Sequence, residues 1–216
     1  MLILGKCLKC YRGIHFVKDE ILNRLRRAVH RTVIFVVGGP GSGKRTHCTM
    51  IATNEGYTHL NPKELINQEQ YFDSDISNEI DRITSRGQDI PSRIIIQLLA
   101  AAMSKAETNK FIIDSFPRHC DDLDCWYDMM STECIIDFVI HLKCPKTVVH
   151  ERAVLKQESS LQAIPSISSI TKKYKQFYED SAPFINKMHN VGRTRVISTI
   201  PSIPVVNKQI THQWQL

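Results

Sequence analysis

From residue 32 onward, short runs of β-branched and aromatic residues alternate with longer stretches in which apolar positions recur every three or four residues. Runs of the first kind suit strands buried on both faces, and the alternation predicts a parallel sheet covered by helices on both sides. Candidate strands are Thr32 to Val37, Tyr57 to Leu60, Phe111 to Asp114, Ile135 to His141 and Arg195 to Ser198. Helices are predicted over 43–54, 62–85, 91–107, 145–156, 168–190 and 203–214. The third opens with Pro91 in its first turn and continues with Ile94, Ile95, Leu98, Leu99 and Ala102 at helical spacing. Trp126 and Tyr127 are read into a further apolar helix as core or interface residues, and Cys144-Pro145 as a strand-to-helix junction. "QESSLQAIPSISSIT", residues 157–171, is rich in Ser and Ile, lacks Lys and Arg, and reads as a loop or short flap.

The chain length of 216 residues suits one α/β domain with a small insertion or two, enough to bury roughly 70% of the unfolded surface. Apolar residues make up 42% and charged residues 23%, and no apolar run approaches the ~20 residues that cross a bilayer. The expectation is a soluble protein. Seven cysteines, odd in number and scattered, point to a reducing compartment such as the cytoplasm. Cys7 and Cys10 form a CxxC near His15, but a four-ligand zinc site needs a second pair that the sequence lacks, so they read as ordinary thiols.

The net charge of +6 sits entirely in residues 1–31, which carry eight Lys or Arg and two acids; the remainder holds 20 of each sign. Such a basic arm suits an anionic surface (lipid or nucleic acid), a protein partner, or targeting to an organelle such as the mitochondrion. The plainer reading is a solvated helix over Val17 to His30, with Val17, Ile21, Leu25 and Val29 packing on the body. A transit peptide would be richer in Ser and would lack the acidic pair Asp19 and Glu20.

Gly38 to Lys44 matches G-x-x-x-x-G-K between a strand-like and a helix-like run, the setting that the phosphate-binding loop requires. Gly39, Gly41, Ser42 and Gly43 would turn main-chain amides toward a triphosphate, while Lys44 meets its β and γ oxygens. Arg45 follows the lysine, and the hydroxyl expected near magnesium comes one residue later, at Thr46. His47 and His59 flank this region and read as helix-surface and packed residues; Cys48, one turn into the helix, reads as packing.

The motif G-G-P-G-S-G-K-x-T after a strand resembles the adenylate kinase and UMP/CMP kinase family, which places a Gly where this chain has Arg45. The likeness extends to "GYTHL" (56–60), "GQDIP" (87–91), "IIDSFPR" (112–118) and "YEDSAPFI" (178–185), and holds register over about 32–200. It implies a P-loop three-layer α/β sandwich on a five-stranded parallel sheet. A monophosphate-binding helical insertion is expected near 61–90 and a reduced lid near 157–166, with ATP and Mg²⁺ as cofactors. By the same resemblance, Arg118 grips the acceptor monophosphate, Arg152 stacks on the base of the triphosphate nucleotide, and Asp114 organises magnesium through water near Thr46. Ile90 and Asp122 fall at acceptor-binding positions, Asp122 where the family reads the base with Gln. The protein is read as a monomer acting on small-molecule nucleotides.

Several family positions differ. In the segment matching S-T-G-D-L-L-R, Pro62 and Asn67 replace the Thr and Arg that hold the monophosphate, and Ser115 replaces a Gly. The lid's arginines and Asp pair fall at Lys156, Gln162, Ile164 and Pro165, and a family arginine on the next helix falls at Tyr174. Lys172, Lys173 and Lys175 read as a solvated face. Each lost donor aimed at developing charge costs roughly 10²–10³ in turnover. The resemblance therefore implies an ATP-dependent nucleoside monophosphate kinase of weakened activity, or alternatively a degenerate nucleotide-binding or interaction protein of the same fold.

Overall fold

Five strands take up the apolar runs: β1 (Arg31–Gly38), β2 (Thr58–Leu60), β3 (Lys110–Asp114), β4 (Cys134–Lys143) and β5 (Thr194–Ser198). All pairs are parallel, in the order β2-β3-β1-β4-β5. The structure, a computed structural model, describes residues 30–159 and 166–213, without side chains at 154 and 156–159. The arm with Cys7, Cys10 and the helix expected from Val17, and the lid positions Gln162, Ile164 and Pro165, lie outside the described residues, as does the Lys156 side chain.

The described helices are α1 (Lys44–Glu55), α2 (Pro62–Glu69), α3 (Asp75–Ser85), α4 (Ser92–Lys105), α5 (Cys120–Met130), α6 (Lys146–Ser159), α7 (Ile167–Asn190) and α8 (Ile203–His212). Alternation along β1 sorts the core into two layers. Val33, Phe35 and Val37 face a cluster built with Leu99, Met103, Trp126 and Phe184 of α4, α5 and α7. Ile34 and Val36 face Cys48, Ile51, Val206 and Ile210 of α1 and α8. Trp126 is fully buried, edge-on to Phe35 at 5.1 Å between ring centroids, whereas Tyr127 remains partly exposed. No helix among the described residues is long and apolar enough to cross a membrane.

Two boundaries differ from the hydrophobic pattern. The single helix expected over 62–85 is two, because Ser74 caps α3 by accepting from Ser77 N. Tyr71 and Phe72, in the turn between them, are 89% and 65% exposed and extend no buried stripe. Helix takes both ends of the segment expected as a loop over 157–171: α6 runs to Ser159 and α7 begins at Ile167 behind the Ser166 cap. The apolar helix expected around Trp126 and Tyr127 is α5, which takes its place by burying Leu123, Trp126 and Met130.

Parallel pairing sets the C-terminal ends of β1 and β3 side by side, with Val36 opposite Asp114 and Ser115 N donating to Val36 O. The Gly38–Lys44 loop leaves the first end and the Asp114–Arg118 segment the second.

Candidate functional site

The loop after β1 is shaped by what its glycines avoid. Gly41 and Gly43 have φ of +68° and +78°, a region that side chains strain to occupy. At Gly38 an added Cβ would stand 2.6 Å from Ser42 Oγ and 2.7 Å from Leu142 O. At Gly39 it would make only ordinary contact with Tyr174 and Phe177. Ser42 Oγ is buried and has no hydrogen-bond partner among the described residues. Lys44 bends back across the loop, donating to Gly38 O (2.7 Å) and Gly39 O (3.2 Å). Burial lowers the Lys44 pKa against the opposing pull of Asp114. The lysine's charge is thus only partly compensated, and an anion in the loop restores what burial takes away.

Asp114 stands beside it, nearly buried, at the end of β3. Asn61 Nδ2 donates to its Oδ2 (3.0 Å) and Ser115 Oγ to its Oδ1 (2.7 Å), and His59 Nε2 lies 3.9 Å away. Burial alone would raise the carboxyl, but the His59 ring, Ser115, Lys44 and Asn61 together hold it below the ordinary carboxylate value. It is an anion fixed beside the phosphate loop, the donor type that a hydrated magnesium ion requires. Asn61 does double duty, for its Oδ1 also caps α2 by accepting from Lys63 N and Glu64 N. Cys48 closes the layer below; burial and the Asp114 charge push its thiol well above its ordinary value, in keeping with a packing role. Ser115 adopts φ +63°, the one positive φ outside glycine among the described residues.

A cleft of about 510 Å³ opens between the loop and α7. Gly38, Lys44, Ser115, Arg118, His119 and Asp89 line one side, and Lys173, Gln176, Phe177 and Asp180 the other. Lys44 and Arg118 therefore line one cleft, and Lys173, read from the sequence as a solvated cation, lines it as well. Its signal was its spacing from Phe177 and Asp180 along one face of α7. Tyr174 turns elsewhere, packing near Gly39 and donating to Cys144 O (3.3 Å).

Other expected residues hold different partners. Arg118 is paired with Asp122, through Nε to Oδ2 (2.8 Å) and Nη2 to Oδ1 (2.9 Å), and its Nη2 also donates to Ile90 O (3.2 Å). Asp122 is wholly buried and does not line the cleft; its short side chain meets Arg118, four residues back and ahead of the first turn of α5. Burial alone would raise its carboxyl, but the bonds from Arg118 and Ser92 and the guanidinium charge hold it below the usual range, while Asp122 raises Arg118. Arg45 forms an ion pair with Glu64 of α2. Thr46 is exposed on the first turn of α1, and Asn67 is exposed on α2. Arg152 bridges the loop to the end of β5, donating to Gly41 O (2.9 Å) and Thr199 O. His47, expected on the helix surface, is buried because α8 covers it; Nδ1 meets Asn207 Oδ1 at 2.7 Å.

Comparison with known proteins agrees with this geometry. A family model for adenylate kinase matches residues 36–193. The chain is 33% identical over 180 residues to a UMP-CMP kinase of Mus musculus, covering 81% of this chain and 92% of that one. It is 32% identical over 184 residues to a UMP-CMP kinase of Homo sapiens (82% and 94%) and 33% identical over 179 residues to UMP-CMP kinase 3 of Arabidopsis thaliana (83% and 87%).

Proposed function

Since the chain belongs to the adenylate kinase family, we propose that it transfers the γ-phosphate of ATP to a nucleoside monophosphate, with turnover weakened on the acceptor side. The observation that carries this reading is a cleft lined both by Lys44 of the glycine loop and by Arg118 of the segment after β3. Gly39, Gly41, Ser42, Gly43 and Lys44 would hold the polyphosphate of ATP, and the unpartnered Ser42 hydroxyl and the self-bonded Lys44 ammonium are the groups such a tail would satisfy. Asp114 and Thr46 would hold Mg²⁺ through its waters; when bound, the ion neutralises charge on the phosphate oxygens.

In the reaction an oxygen of the acceptor's phosphate attacks the γ-phosphorus, the bond from that phosphorus to the bridging oxygen breaks, and a nucleoside diphosphate leaves on each side. Lys44 steadies the charge spreading over the transferred group, and Lys173 adds a cation from α7. Phe177 and its neighbours on α7 line one wall of the cleft.

The test is a coupled assay over AMP, CMP, UMP and GMP with Lys44→Ala alongside, joined to thermal melts in millimolar Mg-ATP. At least one acceptor should give turnover that Lys44→Ala abolishes, and Mg-ATP should raise the midpoint of the wild type but not of the variant. Stabilisation by Mg-ATP without turnover on any acceptor would favour the second reading, a nucleotide-binding protein without catalysis. The engagement of Arg118 by Asp122 is the observation in its favour. No stabilisation and no turnover would end both.

A further inference from the structure

Every acceptor site on Asp122 is in use. Oδ2 takes Arg118 N (2.7 Å) and Arg118 Nε (2.8 Å), and Oδ1 takes Arg118 Nη2 (2.9 Å) and Ser92 Oγ (2.6 Å). A carboxylate offers about four lone-pair sites, so nothing remains for a base edge. The arginine is equally committed on that side. Its Nε and both hydrogens of Nη2 go to Asp122 and Ile90 O, and Nη1 alone has no hydrogen-bond partner among the described residues, though the Asp89 charge acts on the guanidinium. That side-on edge is the fork with which a guanidinium holds a phosphate bidentately.

We propose that Asp122 is an internal competitor of the acceptor's phosphate: it occupies the bidentate edge of Arg118, so a phosphate monoester binds fully in the cleft only by opening this pair. Asp122 is then a positioning residue that sets acceptor affinity through Arg118. Asp89 and Asp180, which line the same cleft, add to the repulsion that an incoming dianion meets. The inference rests on the kinase reading, but it concerns binding, so it can be tested apart from turnover.

The measurement is calorimetric titration of CMP, with Mg-ATP titrated separately, into the full chain and two variants. Asp122→Gln installs the residue carried by the family, and Asp122→Asn keeps the size. In either variant that melts cooperatively, CMP should bind at least about tenfold tighter, the worth of one freed charge-assisted hydrogen bond. Mg-ATP affinity should stay within about twofold, a separation that a merely structural role for Asp122 would not produce. The double variant Asp122→Asn/Arg118→Lys is the second arm. It removes the edge that Asp122→Asn frees, so CMP affinity should fall back to within about threefold of the wild type. A folded Asp122 variant that binds CMP no more tightly than the wild type, or a folded double variant that keeps the tenfold gain, overturns the proposal. Absence of Mg-ATP binding throughout would instead fault the kinase reading.

Discussion

Arg118→Ala should cost this protein fold stability, which an arginine merely awaiting substrate would not. The substitution leaves Asp122 fully buried with two donors, Ser92 Oγ and the backbone N of residue 118, in place of four. Severing one side of a buried ion pair typically costs about 3–5 kcal/mol. The Arg118 side chain is 33% exposed and two donors survive, so screening and residual bonding reduce this to about 2–3 kcal/mol. For a chain of this length the midpoint should fall by roughly 5–10 °C. The pH dependence carries a second signature. In the wild type the Asp122 carboxyl is held below its ordinary value, so its contribution is present above pH 3.8 and is lost as pH falls through the depressed folded value. Without Arg118, burial governs and the folded pKa rises above the unfolded one. The variant then recovers stability as pH falls through that raised value toward the unfolded one, and the two stability curves converge on acidification. Urea unfolding at neutral pH and near pH 5, with Asp122→Asn and the double variant closing a cycle, measures both effects. Asp122→Asn should cost less, since the partly exposed arginine can turn to water. An Arg118→Ala protein within about 0.5 kcal/mol of wild type at neutral pH would refute the reasoning.

Ser115 is held at φ +63° while its hydroxyl donates to Asp114. Ser115→Gly and Ser115→Ala both lose the bond, but only glycine loses the strain, so urea midpoints should place Ser115→Gly about 1 kcal/mol above Ser115→Ala; the reverse order would discount the strain. His47 and His141 are buried and titrate below their ordinary 6.5, chiefly through desolvation. The unfolded chain therefore takes up protons first, and stability should decline as pH falls from 6.5 through the depressed values. Melts of His47→Gln/His141→Gln over pH 8 to 5.5 should follow a flatter profile. Lys173→Gln should lower turnover by about 10² with Mg-ATP affinity little changed, whereas Lys172→Gln should match wild type; steady-state kinetics on the best acceptor separates the two.

The glycine loop and Arg118 were legible because motif chemistry is local: a loop that must aim amides at phosphate needs glycines at fixed spacing, and strand and helix flank it by adjacency. The strands were legible for a related reason, since burial on both faces demands continuous apolar runs. The split at Ser74 was harder to read, because a cap competes with helix continuation and only packing decides between them. The placement of Lys173 was equally hidden, as one face of α7 becomes a cleft wall only when β1 and β3 lie alongside it.

From the chain alone came the family, the order of strands along it, and the loop that a triphosphate requires, all consequences of residue spacing within one or two turns or strands. Tertiary structure decided which partners Arg118 and Asp122 take. Read linearly, Asp122 occupies a base-reading position; folded, it lies beneath the cleft with Ser92 of α4 and Arg118 converging on it from separate segments. A buried carboxylate takes whichever donors the fold brings within reach, and a sequence position cannot specify those donors.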